Sequence, residues 1–466
     1  MPKKQLQFKD LSPEQLGMIT KILTLGRTGA LAPMGSGKTA AVLTAIDFLK
    51  LFGHLTGKVL VVAPVRVAQS TWPDEIATWP HLAELDIVSV TGTAPQRLKA
   101  LREDADIYTI NFENLQWLEK QLGGKWPFEM LVVDENKLKN FRIKQGGTRA
   151  KVLGKYAFNG VKYFVQLSGT PAGNGLQDVW GFNWFIDRGA RLGASFTAFQ
   201  DRWFRKKPYT HGWEPMPFAK TEIPDALRDT CFYLEPKGVE KPIVTLVPVT
   251  LPPKAMQQYK AMEKTMFAEL KPLLAKDAEH SIEAVNPAVK CNKCLQLANG
   301  AGYIEGDNKE WVEIHDQKIQ ALESIIEEAA GMPVLVAYHF KSDLVRLKKA
   351  FPQGRALDKN PKTIRDWNEG RIPVMFVHPA SAGHGISLQH GGNIIAFFSL
   401  DWSLENHMQV IERIGPQRQK QSGYDRPVYV YYILAEKTVD YTVLERLETK
   451  RSVQEILLQT LKIRIY

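Results

Sequence analysis

The stretch LAPMGSGKTA, residues 31–40, decides how the chain is read. Small apolar residues, Ala30 to Ala32, lead through Pro33 into a glycine-bearing turn. The following AAVLTAIDFLKLF then places apolar residues at helical spacing as far as Phe52. The pattern predicts a strand end, a turn and a helix N-terminus. Backbone N–H groups at such a junction cradle phosphate, and the helix dipole adds to the attraction. Gly35 and Gly37 would let the backbone approach the phosphates, Ser36 would lie with them on the nucleotide, Lys38 would reach the β- and γ-phosphates, and Thr39 would offer its hydroxyl to Mg²⁺. The strict loop pattern has glycine where Ala32 stands, giving an A-x-x-G-x-G-K-T version; a chance glycine-rich turn is the other reading.

A phosphate loop needs an acid to hold the metal and a group to activate water. FEMLVVDENKLKN supplies a short buried-strand pattern ending in Asp134-Glu135. Open α/β sheets present ligands at the carboxyl ends of their strands, so both acids are expected to face the nucleotide. Asp134 would hold Mg²⁺, partly through water, and Glu135 would orient or deprotonate the attacking water. An exposed acidic pair at a loop start is the alternative. GKVLVVAPVRV and YFVQLSGTPAGN add two more strand-like runs, and strands alternating with helices signal a parallel sheet.

A chain of 466 residues is long enough for two domains with separate cores. No run of about 18 uncharged apolar residues occurs, so no membrane span is expected. The basic start, MPKKQLQFKD, lacks an apolar stretch behind it, which argues against a secretory signal. Three cysteines give no disulfide framework, and Cys291-x-x-Cys294 has no second pair or nearby histidine to complete a zinc site. A reducing cytoplasmic location is the expectation. The net charge of +10 is in keeping with a polyanionic partner.

Taken together, APMGSGKT, VLVVAPVRVAQSTWPDEIATW, DE and LSGTPAGNGLQDVW resemble the first lobe of a superfamily-two helicase. Trp72…Glu75…Trp79 and Thr170-Pro171-x-x-Asn174 followed by Leu176, Asp178 and Trp180 resemble its Swi/Snf-type branch. LSPEQLGMI resembles the adenine-side glutamine motif, with Gln15 in the matching place. In the second half, Ser381-Ala382-Gly383-x-Gly385-x-Ser387-Leu388-Gln389, Asp401-Trp402 and Gln409-x-x-x-Arg413 resemble the family's closing motifs. The resemblance runs from about Leu11 to about Ile433, and compact phage-encoded members are nearest in build. Two departures stand out. Asn136 alone separates Glu135 from KLKN, one residue fewer than the family carries, and Pro416 stands where a second arginine is usual, with Arg418 next.

The resemblance implies an α/β fold of two RecA-like parallel-sheet lobes in tandem, with a mainly helical insertion between them. The expected divisions are 1–181 for the first lobe, 182–315 for the insertion and inter-lobe connection, and 316–466 for the second lobe with its C-terminal helix. It implies ATP and Mg²⁺, with Arg413 and Arg418 sharing the task of stabilising charge on the γ-phosphate, and Gly385 on the nucleotide. Arg66, Asn111, Ser168, Thr170, Ser381, Ala382, Gly383 and Trp402 would line a nucleic-acid track. The activity implied is an ATP-dependent translocase on double-stranded DNA. A strand-separating helicase on single-stranded DNA or RNA, and a nucleotide-gated binding switch, are the alternatives. Proteins of replication or recombination are open as partners. Trp180, Phe182, Trp184 and Phe185, at helical spacing, are expected to be core.

Overall fold

The computed structural model describes residues 6–32, 36–134, 138, 141, 148–169, 172, 175–206, 213–233, 241–275, 287–303, 310–358, 360–380 and 386–462. The chain divides into two compact units, the first carrying it to Lys237 and the second spanning Gly238–Thr449. In chain order the strands are β1 (Arg27–Leu31), β2 (Lys58–Ala63), β3 (Ile87–Ser89), β4 (Ile107–Asn111), β5 (Phe128–Asp134), β6 (Tyr163–Ser168), β7 (Phe204–Lys206), β8 (Trp213–Pro215) and β9 (Cys231–Tyr233). They continue as β10 (Ile243–Val249), β11 (Ala301–Tyr303), β12 (Trp311–Glu313), β13 (Val334–Ala337), β14 (Arg355–Ala356), β15 (Val374–Val377), β16 (Ile394–Phe397) and β17 (Tyr429–Ala435).

The first unit is built on a parallel sheet in the order β3-β4-β2-β5-β6-β1-β9. Its central strands read as unbroken apolar runs, KVLVVA and FEMLVVD, because helices cover both faces. One face packs Met18, Ile19 and Ile22 of the helix Pro13–Leu25 with Ala41, Leu43 and Leu49 of the helix Lys38–Leu51. The other packs Leu115, Leu153, Trp180, Phe182 and Phe185. The aromatic run of the helix Asp178–Asp187 is therefore core, as its spacing predicts.

The helix Pro13–Leu25 shows local and tertiary signals agreeing. Ser12 accepts a hydrogen bond from Gln15 N, Gln15 Oε1 accepts from Ser12 N, Pro13 fills the first position, and Gly26 closes the last turn at φ 68°.

The second unit holds a second parallel sheet, β10-β17-β16-β13-β15-β14. Leu335, Met375, Ile395 and Val430 face one core and Val336, Phe376, Ala396 and Ile433 the other. The interval 182–315 is shared between the units. Helices Phe196–Trp203 and Ala219–Leu227 and strand β9 pack into the first unit's core, whereas β10 and the helix Pro253–Ala275 belong with the second sheet. Two short antiparallel hairpins, β7-β8 and β11-β12, complete the described strands.

Candidate active site

Because every strand of the first sheet is parallel, their carboxyl ends share one edge, and the register aligns those ends. Asn111 pairs with Ala63, Val62 with Val133, Asp134 with Leu167, and Ser168 with Leu31. The loop after β1 thus leaves the sheet beside Ser168, and Asp134 lies one strand further on. The Ser168 carbonyl accepts from Ala32 N at 3.0 Å, tying the loop's entry to β6.

Gly37 caps the helix Lys38–Leu51 in the left-handed region at φ 74°, and its carbonyl accepts from Ala41 N and from Gln15 Nε2 at 3.1 Å. The positive φ favours glycine there, and a Cβ, 2.2 Å from Gln15 Nε2, would also push the end of that side chain off the Gly37 carbonyl. Gln15, buried, therefore braces Gly37, at the N-terminus of the helix Lys38–Leu51, as well as its own helix start. Lys38 Nζ lies 2.6 Å from the Ala32 carbonyl, across the mouth of the loop. Ser36 and Thr39 are half-buried beside it.

Asp134 is buried, and Trp72 Nε1 donates to its Oδ2 at 3.0 Å. Trp72 is fully buried at the start of the helix Trp72–Thr78, placed there by the π-helical turn Val67–Thr71, which leaves Arg66 half-buried on the approach. Trp79 Nε1 donates to Glu75 Oε1 at 2.9 Å. These two indoles explain the tryptophan spacing. The role of Trp72 on Asp134 was not readable from sequence; it depends on the contact between two segments 62 residues apart. Asn111 is buried at the end of β4, where its Nδ2 donates to Glu113 Oε2 and its Oδ1 accepts from Asn114 Nδ2.

In the second unit, Arg413 ends the helix Leu404–Ile414 and Arg418 lies in the helix Pro416–Gln421. Their Nη1 atoms both reach the Ile386 carbonyl, at 3.3 and 3.4 Å. The five-residue spacing across Gly415-Pro416 brings both guanidinium groups to one point. Burial lowers the Arg418 pKa from its ordinary value, with the Glu412 carboxylate opposing. Gln419, unpredicted, fixes this corner: its Nε2 donates to the carbonyls of Gln389, Gly392 and Ile414, and its Oε1 accepts from Arg426 Nε. Trp402 is half-buried beside Asp401, whose carboxylate accepts from Ser403 N and Asn406 Nδ2. Gly35, Glu135, Thr170, Ser381, Ala382, Gly383 and Gly385 lie outside the described residues.

The SNF2-related domain matches residues 26–221. Protein p41 of Acyrthosiphon pisum secondary endosymbiont phage 1 is 48% identical over 459 residues, covering 97% of this chain and 98% of p41. The chain belongs to the SNF2-related family. The mouse SWI/SNF-related matrix-associated actin-dependent regulator of chromatin subfamily A member 1 is 21% identical over 498 residues, covering 97% of this chain and 43% of its own length. The chain thus spans less than half of that larger SWI/SNF relative. A solved Sulfolobus solfataricus SWI2/SNF2 ATPase core in complex with dsDNA is 20% identical, covers 97% of this chain and 95% of its own, and has a TM-score of 0.43. As a family member the chain carries a nucleotide-binding SNF2 ATPase core in two parallel-sheet lobes. Among the described residues no helix is long and apolar enough to cross a membrane.

The first-unit edge fits a magnesium nucleotide by its donor set. It offers helix N-terminal N–H groups behind a glycine in the left-handed region, a lysine at the loop mouth, a threonine hydroxyl and a buried carboxylate.

Proposed function

We propose that this chain is a nucleic-acid-stimulated ATPase that translocates along double-stranded DNA. The observation that carries the reading is the aligned row of strand ends, which gathers Gly37, Lys38, Asp134 and Ser168 on one edge of a single parallel sheet. In this reading Lys38 leaves the Ala32 carbonyl for the phosphates. Thr39 and Asp134 would hold a Mg²⁺, which supplies charge neutralisation at the phosphate oxygens when bound. Glu135 takes the proton of the attacking water. Arg413 and Arg418 stabilise the charge that develops on the γ-phosphate, a contribution on the order of 10³–10⁵ in rate for nucleotide hydrolases.

The preference for duplex rests on the family: the mouse relative is named a regulator of chromatin. Arg66, Asn111, Ser168, Thr170, Ser381 to Gly383 and Trp402 are read as backbone contacts, which position a nucleic acid without specifying its sequence. The test is ATP hydrolysis measured in parallel with no nucleic acid, linear duplex DNA, single-stranded DNA and RNA. Stimulation by duplex, followed by ATP-dependent displacement of a triplex-forming strand, is the expected result. Stimulation by single strands or RNA alone would move the reading to a strand-separating helicase. Nucleic-acid binding without turnover would move it to a switch.

A further inference from the structure

Gln419 is fully buried in the second unit, and the ATPase reading gives it no task. It follows Arg418 in the helix Pro416–Gln421, which Gly415 alone separates from the helix Leu404–Ile414. Arg413 and Arg418 therefore sit on different helices, yet their Nη1 atoms converge on the Ile386 carbonyl. Two like charges that converge repel one another, so the place where they meet has to be held by what surrounds it.

Gln419 bonds to each piece that sets that place. Its backbone N–H donates to the Gly415 carbonyl and its side-chain Nε2 to the Ile414 carbonyl, both at 3.0 Å, so main chain and side chain return to the break between the helices. The same Nε2 lies 3.1 Å from the Gln389 carbonyl and 2.8 Å from the Gly392 carbonyl, its two hydrogens shared among three acceptors. The segment from Ile386 to Gly392 is thus held to the arginine helix at its far end, while its near end offers the carbonyl that the arginines reach. Arg426 fixes which way the amide faces. A guanidinium only donates, so the atom that accepts from Arg426 Nε at 2.9 Å is the amide oxygen, and the NH₂ group faces the three carbonyls. Arg426 Nη2 also donates to the Gln389 carbonyl at 2.9 Å, and its guanidinium lies 4.4 Å from the centre of the Tyr424 ring.

We propose that Gln419 is a positioning residue for the arginine pair: enclosed by protein, it joins the helix break to the segment 386–392 and so fixes where the two guanidinium groups converge. The inference rests on the reading that Arg413 and Arg418 stabilise charge on the γ-phosphate. In that reading the pair acts chiefly in the transition state, so a shifted pair lowers kcat and leaves nucleotide binding alone. A displacement near 1 Å costs about 10²-fold in rate.

The test compares the wild type with Gln419→Met, which keeps the length and loses the amide, and with Arg413→Ala and Arg418→Ala. ATP hydrolysis is measured on linear duplex DNA, and binding is measured for ADP and for ADP–aluminium fluoride, a mimic of the transition state. ADP bound per chain counts folded protein, so each rate is taken per competent chain. Gln419→Met is expected to lose about 10- to 10²-fold in kcat, with KM for ATP held, and to lose its preference for ADP–aluminium fluoride over ADP by a similar factor. If Gln419→Met keeps both while an arginine variant loses them, the proposal is overturned and the arginine reading stands. An intact preference in both arginine variants overturns that reading, and this one with it. A loss confined to the thermal midpoint would mean that Gln419 only packs. Where Gln419→Met does not fold, Arg426→Lys carries the test. It removes the donor that orients the amide and should lower kcat several-fold with KM held; wild-type kcat there overturns the proposal.

Discussion

At the scale of single residues, Lys38 and Trp72 carry the argument. Lys38 Nζ closes its own loop onto the Ala32 carbonyl, six residues back, so the group read as a phosphate ligand is already aimed across the loop mouth. Lys38→Ala is expected to abolish ATP hydrolysis while duplex binding persists in a gel-shift assay; normal phosphate release from the variant would sink the loop assignment. Trp72 holds a buried carboxylate through one N–H···O bond. Trp72→Phe keeps most of the packing but removes that donor from a charged acceptor, a loss of about 1–3 kcal/mol. Thermal unfolding should show a lower midpoint, and turnover should require more Mg²⁺. An unchanged Mg²⁺ titration would mean that Trp72 only packs.

At the scale of elements, the second unit is tied by a buried polar chain joining segments remote in sequence. Lys318, on the helix Gln317–Glu328, pairs with Asp440 at 2.6 Å on the first turn of the helix Val439–Lys462, both side chains 1% exposed. Lys318 Nζ also donates to Asn299 Oδ1, and Asn299 Nδ2 in turn reaches Asp343. Arg346 donates to the carbonyls of Asn299 and His315. Breaking a buried pair on one side leaves a charge in low dielectric, so Lys318→Met should cost about 3–5 kcal/mol. Denaturant unfolding of Lys318→Met against Lys318→Met/Asp440→Leu checks it. The double variant should recover much of the loss, and a single variant as stable as wild type would refute the argument.

At the scale of the whole molecule, the formal charge of +10 meets a proposed partner that carries one charge per phosphate. Duplex affinity should therefore fall steeply with salt, with a log–log slope of about −0.9 for each phosphate contacted. Binding measured between roughly 50 and 200 mM salt gives the slope directly, and a flat response would argue against a backbone grip.

The sequence by itself determined the glycine turn between β1 and the helix from Lys38, the strand ending in Asp134, the second sheet and the family resemblance. Those signals are local: a glycine turn before a helical period, apolar runs of strand length, and short motifs in fixed order. The tertiary structure decided what lies between distant segments. Only the parallel register puts Asn111, Asp134 and Ser168 in one row. Only folding brings Trp72 onto Asp134, Gln15 onto Gly37, and Arg413 and Arg418 onto the same Ile386 carbonyl. Gln419 and Lys318 were silent in the sequence for the same reason: a lone amide or amine has no period and no motif, and its role is set by the carbonyl or carboxylate that the fold carries to it.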